Sequence, residues 1–183
     1  MNPLGTIAVR AAERGLQFVL AGGHAVIAHG HPRNTFDIDL IIRRTDRVLW
    51  EDLARSAEYS FYREGPTFVQ FNPPSPDILP LDLMMVGDET FGKLMADAVP
   101  GPASTAGAKV VSLRHLLALK CHAIKHGHRG RIVKDADDVI RLAQANKLDL
   151  DEPGIRDLFL KHGTKELYDK VLRLCREERL DRT

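Results

Sequence analysis

The segment of residues 36–42 constrains the fold of this chain more than any other. It is aliphatic or aromatic except for Asp37 and Asp39, which is typical of a β-strand. Alternate side chains of a strand share a face, so both carboxylates project from the same face, with Cα atoms about 6–7 Å apart. The other face is apolar and is expected to point into a core: it carries Phe36, Ile38, Leu40 and Ile42.

Two neighbouring carboxylates repel each other unless a cation lies between them, and their hard oxygen atoms suit Mg²⁺ or Mn²⁺. A strand with one face in water would also accommodate two aspartates. However, aspartate is a poor strand former, and two of them in so apolar a segment favour a metal site.

A third carboxylate, Asp82, interrupts the apolar segment of residues 79–86. An unpaired charge buried in such a strand would cost several kcal/mol. Asp82 is therefore expected to bind a metal, to be neutralised, or to face water from an edge strand.

The sequence Leu-Ala-Gly-Gly-His-Ala at residues 20–25 predicts a strand that passes through Gly22 and Gly23 into a helix. Such a turn exposes backbone N–H groups at a helix N-terminus, where phosphates bind readily. A tight turn of any kind also uses glycines, so the pair alone is weak evidence.

The remaining pattern predicts a mixed α/β half followed by a helical half. We expect one structural unit, with an α/β core over residues 1–108 and a helical region over residues 109–183 packed on it. The predicted elements are helices at 4–15, 24–30, 46–59, 112–125 and 134–146, two more that begin at Pro153 and after Thr164, and strands at 17–20, 36–42, 68–71 and 79–86.

The net charge of +1 is an average over two unlike halves. Residues 1–108 hold 9 basic and 13 acidic side chains, whereas residues 109–183 hold 17 and 12. Residues 109–134 contain seven Lys or Arg, four His and no carboxylate. Near neutrality argues against a strongly basic nucleic-acid coat protein, but this separation favours a metal among the acids and phosphates among the bases.

Several features favour a cytoplasmic protein without a membrane partner. No apolar run approaches the roughly 20 residues that a bilayer span needs. The N-terminus has no signal-peptide layout. Cys121 and Cys175 lie far apart in helical segments, so we expect no disulfide.

Lys120 lies at the centre of the apolar stripe of the helix predicted after Ser112. A lysine on an inward face requires negative charge or a route to water. The opposite side carries His115, His122 and His126, for which we favour a polar surface that faces phosphates or solvent. A zinc site remains the alternative, although neither a His-Glu-x-x-His motif nor a cysteine pair accompanies them.

The next helix begins with an acidic first turn that contains Asp135, Asp137 and Asp138. Such residues are common at helix N-termini because they interact favourably with the helix dipole. The basic residues just before them, Arg129, Arg131 and Lys134, would bind phosphates or an RNA backbone.

Together these motifs resemble the DNA polymerase β-like nucleotidyltransferases. The resemblance rests on Gly22-Gly23, on Arg33-x-Thr35-x-Asp37-x-Asp39, on Asp82, on Lys120 and on the acidic motif after Lys134. Within that superfamily the chain is most similar to the AbiEii-type nucleotidyltransferases, several of which are toxins of bacterial toxin–antitoxin systems. The resemblance covers residues 17–143 and implies a small mixed sheet followed by a helical C-terminal region.

The resemblance also implies roles for individual residues. Asp37, Asp39 and Asp82 would bind Mg²⁺ or Mn²⁺, and Asp82 would help to deprotonate the attacking hydroxyl. Lys120 would offset charge on the leaving pyrophosphate, and Asp135 would orient Lys120 or the acceptor. The nucleotide-binding set would comprise Gly22, Gly23, His24, Arg33, Thr35 and Asp138.

The predicted function is metal-dependent transfer of a nucleotidyl group from an NTP to a hydroxyl (EC 2.7.7 type). We expect the acceptor to be the 3′ end of a tRNA-like RNA, with a protein side chain or a small molecule such as an aminoglycoside as alternatives. An antitoxin is the expected protein partner if the chain is a toxin. The alternative function is a non-catalytic nucleotide- or RNA-binding module with the same fold.

Overall fold

The structure, a computed structural model, describes residues 3–127 and 129–180. These divide into two compact units. The first, the sheet unit, comprises the chain up to Ala28 and Arg33–Ser112. The second, the helical unit, comprises His29–Pro32 and the chain from Leu113 onwards.

The sheet unit contains seven strands and four helices among its described residues. In chain order these are α1 (Pro3–Glu13), β1 (Val19–Leu20), α2 (Gly22–Ala28), β2 (Ile38–Arg43), α3 (Arg47–Ser56), β3 (Ser60–Gly65), β4 (Phe68–Asn72), β5 (Leu81–Val86), α4 (Asp88–Asp97), β6 (Val99–Pro100) and β7 (Lys109–Val110). The strand order across the sheet is β3-β4-β5-β2-β1-β7-β6.

The sheet is mixed, which confirms the predicted α/β class. At its centre β2 runs parallel to β5 and antiparallel to β1, while β4 runs antiparallel to β5. One face of the central strands is fully buried: Ile38, Leu40 and Ile42 are each 0% exposed. The predicted alternation therefore holds from Ile38 to Leu40, whereas Ile41 is buried on the opposite face.

Phe36 contradicts the prediction that it points into the core. It is 70% exposed, because β2 begins at Ile38 and residue 36 precedes the strand. Because residue 36 is apolar, the predicted strand began two residues too early.

Four elements of the sheet unit have no counterpart in the sequence prediction, namely β3, α4 and the two-residue strands β6 and β7. β3 is an edge strand without a buried residue, so it lacks the apolar alternation that marks a strand. α4 follows Gly87, and its N-cap forms no side-chain hydrogen bond. The acidic first turn of α4 and its buried Phe91 and Leu94 are helix signals that the prediction did not use there.

The helical unit contains α5 (Leu113–His126), α6 (Arg129–Ala145), α7 (Pro153–His162) and α8 (Lys165–Leu180). α6 begins five residues before the predicted start at 134. Thr164 caps α8 as predicted, because the N–H of Leu167 donates to Thr164 Oγ1 over 3.2 Å. None of the described helices combines the length and apolarity that a membrane span requires.

Cys121 and Cys175 are both buried and free, as the sequence predicts. Burial raises the pKa of the Cys121 thiol to about 12. This thiol is therefore protonated at neutral pH, and it packs as a small apolar group.

A buried ion-pair cluster joins α5 to α6. Lys120 Nζ lies 2.6 Å from Asp135 Oδ1 and 2.7 Å from Asp138 Oδ2. The side chains of Lys120, Asp135 and Asp138 are only 11%, 10% and 1% exposed. Lys120 is thus neutralised by two carboxylates of the helical unit itself.

We expect Lys120→Met to destabilise the protein by about 3–5 kcal/mol, because two buried carboxylates would lose their cation. The measurement is urea unfolding followed by circular dichroism. The triple variant Lys120→Met/Asp135→Asn/Asp138→Asn, which removes all three charges, should recover much of the loss. Equal stability of Lys120→Met and the wild-type protein would contradict this account.

Candidate active site

Asp37, Asp39 and Asp82 form one cluster in the sheet unit. One carboxylate oxygen from each lies within 4.8 Å of those of the other two. Asp39 of β2 and Asp82 of β5 are direct partners across the parallel pairing, and Asp37 immediately precedes β2. The three aspartates that the sequence singled out on separate grounds are therefore brought together.

This cluster fits a divalent cation such as Mg²⁺ or Mn²⁺. All three side chains are half-buried, so water and a ligand can reach them. Three carboxylates so close together repel one another, and a hard cation relieves that repulsion while accepting oxygen ligands. The chemistry and spacing of the donor set agree with a metal site.

The two glycines lie directly against this cluster. A Cβ added at Gly22 would lie 1.6 Å from Asp39 Oδ2, and one added at Gly23 would lie 2.2 Å from Thr35 Oγ1. Gly22 also has φ +55°, which favours glycine. The glycines are therefore needed because Asp39 and Thr35 occupy the space of a side chain, and phosphate binding there stays a prediction.

Thr35 and Arg33 lie in the segment that leads into β2. The Thr35 hydroxyl donates to Asp37 Oδ1 over 3.2 Å. Arg33 Nη1 donates to the carbonyl oxygen of Asn34 over 2.8 Å. Thr35 thus orients the first carboxylate of the cluster.

His24 follows the glycines on α2 and is influenced by the same charges. Burial lowers the pKa of His24, and the neighbouring Arg33 lowers it further, while Asp37 acts in the opposite direction. Its Nε2 atom is buried and has no hydrogen-bond partner among the described residues. His24 is therefore neutral at pH 7.

The sequence analysis missed two residues that support Asp82. Gln70 of β4 pairs directly with Asp82, and Arg63 of β3 pairs directly with Gln70. Arg63 Nε donates to Gln70 Oε1, and Gln70 Nε2 donates to Asp82 Oδ2. Because Arg63 holds the amide oxygen, the NH₂ group of Gln70 is directed at the carboxylate.

One signal in the sequence pointed to Gln70. It lies between Val69 and Phe71, which are both buried, so alternation places it on the opposite face. Its partnership with Asp82 depends on cross-strand register, which alternation does not give.

The other predicted site residues lie in the helical unit. Asp135 holds Lys120, as the resemblance implied, and Asp138 does so as well. His122 and His126 have ring centroids 4.5 Å apart. Within the described ranges, however, His115, His122 and His126 do not meet the geometry of a metal site, whereas the three aspartates do. The side chains of Arg129 and Arg131 are not among those that the structure describes.

Neither a family model nor a curated protein sequence matches this chain. Its fold is similar to the solution structure of the antibiotic-resistance factor ANT(2″)-Ia, with TM-score 0.65, 17% identity and coverage of 88% of this chain and 92% of that one. A crystal structure of ANT(2″)-Ia with adenylyl-2″-tobramycin gives TM-score 0.51, 17% identity and 94% coverage of both chains.

A third similar structure is the lincosamide antibiotic adenylyltransferase LnuA bound to lincomycin. It matches with TM-score 0.59 and 14% identity, covering 78% of this chain and 96% of that one. The chain therefore has the polymerase β-like nucleotidyltransferase fold that its motifs predicted. At these identities the similarity establishes the fold.

We expect Gly22→Ala to abolish Mn²⁺ binding, because the new methyl group must displace the Asp39 carboxylate. Gly15→Ala is the matched control: Gly15 has φ +66°, but its added Cβ would meet nothing within 4 Å. Both variants should lose about 1–2 kcal/mol of stability from the left-handed backbone conformation. Titration of Mn²⁺ followed by electron paramagnetic resonance distinguishes them, and equal Mn²⁺ affinities would refute the proposed packing.

We expect Gln70→Ala to weaken Mn²⁺ binding by about 10-fold, because residues that orient metal ligands typically contribute that much. Asn72→Ala, an exposed site on the same strand, is the control. The same titration provides the measurement. An unchanged affinity of Gln70→Ala would show that Asp82 needs no such support.

Proposed function

We propose that this protein is a metal-dependent nucleotidyltransferase that moves a nucleotidyl group from an NTP to a hydroxyl. The observation that carries the proposal is the Asp37–Asp39–Asp82 cluster, packed against Gly22. Its occurrence on the fold shared with ANT(2″)-Ia and LnuA supports the same chemistry.

In this proposal the cluster holds one or two divalent cations. Bound there, such cations supply charge stabilisation for the attacking and leaving oxygens of the transferred phosphoryl group. Asp82 accepts the proton of the attacking hydroxyl, and its hydrogen bond from Gln70 fixes the orientation in which it does so. The Thr35 hydroxyl fixes Asp37 in the same way.

The remaining predicted residues are proposed to have the roles that their motifs imply. Gly22 and Gly23 would approach the phosphates, His24 would offer its unpartnered Nε2 to the nucleotide, and Arg33 would add positive charge. Lys120, oriented by Asp135 and Asp138, would offset charge on the leaving pyrophosphate. These assignments rest on the motifs of the sequence.

For the acceptor we propose the 3′ end of a tRNA-like RNA. The support is the segment 109–134, whose seven Lys or Arg and four His occur without a carboxylate. A toxin role with an antitoxin partner would follow if that RNA is needed for translation.

A small-molecule hydroxyl is the second candidate acceptor. It is supported by the bound molecules of the similar structures, since ANT(2″)-Ia is seen with adenylyl-2″-tobramycin and LnuA with lincomycin. An aminoglycoside or lincosamide assay therefore belongs beside the RNA assay.

The test is incubation of the protein with Mg²⁺ and each α-labelled NTP, together with cellular RNA, cellular protein, tobramycin or lincomycin. We expect one acceptor to become labelled and Asp37→Asn to reduce labelling at least about 100-fold, because a metal ligand is lost. Asp52→Asn is the control, since it removes an equal charge from an exposed carboxylate paired with Arg55.

Full activity of Asp37→Asn would refute the proposed site. Binding of Mg-ATP by calorimetry, without labelling of any acceptor or release of pyrophosphate, would instead favour the non-catalytic nucleotide-binding module.

A further inference from the structure

A pocket of about 330 Å³ lies between α5 and α7, entirely within the helical unit. Ala118 and Leu158 provide apolar wall. The rest of its lining is polar: Arg114 and His115 from α5, and Asp157, Lys161 and His162 from α7. Four basic side chains therefore line this pocket, together with the single carboxylate of Asp157.

The pKa of His162 is affected by the positive charge around it. Burial lowers the pKa of His162, and the neighbouring Lys161, His122, Lys125 and His115 lower it further. All four of these neighbours act in the same direction. Positive charge around His162 therefore adds to burial in disfavouring its protonation.

The basic groups of the pocket differ in how they are held. Arg114 Nη2 donates to the carbonyl oxygen of Gly154 over 3.0 Å, which leaves the other guanidinium N–H groups for a ligand. Within the described part of the chain Lys161 has no carboxylate at ion-pair distance, although Asp157 lies one helical turn before it. Its ammonium group is thus available to an anion.

We propose that this pocket binds a phosphate group. The guanidinium of Arg114, the ammonium of Lys161 and the imidazole of His162 supply the N–H donors that phosphate oxygens accept, and charge-assisted hydrogen bonds of this kind are strong. The proposal uses residues of the helical unit alone and goes beyond nucleotidyl transfer, so it can fail while the transferase activity stands.

The phosphate could come from two sources, namely the backbone of an RNA or a free phosphate or pyrophosphate. The two sources differ in salt dependence, because a polynucleotide releases condensed counterions when lysine and arginine side chains neutralise its phosphates. The experiment therefore uses both probes on the full chain. One is a short fluorescein-labelled single-stranded RNA followed by anisotropy, and the other is inorganic pyrophosphate followed by calorimetry.

Lys161→Ala should weaken binding of the phosphate source by about tenfold, equivalent to the loss of one hydrogen bond to a charged group. Asp157→Asn should strengthen binding, because it removes the carboxylate that opposes an anion. Lys165→Ala is the matched control: it removes the same charge from an exposed lysine of the helical unit that is paired with Asp169. Circular dichroism confirms that each variant is folded.

If RNA is the source, Lys161→Ala should also reduce the slope of log K against log salt by about 1. If free phosphate is the source, pyrophosphate binding alone should respond to Lys161→Ala and Asp157→Asn. Either pattern supports the pocket. Failure of both probes to bind the wild-type chain, or equal effects of Lys161→Ala and Lys165→Ala, would overturn it.

Discussion

The parallel pairing of β2 with β5 is the constraint on which the candidate site depends. It sets Asp39 directly opposite Asp82, although two adjacent carboxylates repel each other. The apolar face of the same strands opposes that repulsion, because its side chains Ile38 and Leu40 are fully buried. A slip of one residue would bury the carboxylates and expose the aliphatic side chains, so burial fixes the register that brings the charges together.

Close packing of small residues then fixes the geometry around these carboxylates. Asp39 occupies the space where Gly22 would carry a Cβ, and Thr35 does the same at Gly23. The start of α2 is thereby tied to the strand that bears the aspartates and to the segment before it. The glycine pair therefore has a steric role that does not depend on the ligand. The sequence pattern indicated phosphate binding and did not reveal this role.

The features that could be predicted from the sequence are those whose signals lie within a single strand or helix. Alternation predicted the shared face of Asp37 and Asp39, and the cost of a buried charge singled out Asp82. Phe36 was placed wrongly because apolar character does not show where a strand begins. Alternation also placed Gln70 on the face opposite the core, but its contact with Asp82 could not be predicted, since that contact depends on the register between β4 and β5. Arg63 could not be predicted either, because it lies on an edge strand without an apolar pattern.

The carboxylates of the two units differ in their hydrogen-bonding and ion-pair partners. Lys120 is neutralised within the helical unit by Asp135 and Asp138. In the sheet unit, Asp37 and Asp82 accept hydrogen bonds from neutral groups, the hydroxyl of Thr35 and the amide of Gln70. Neutral donors of this kind orient a carboxylate without adding a positive charge of their own. The net charge of +1 thus conceals a cluster of three carboxylates and, in a separate unit, a pocket lined by four basic side chains.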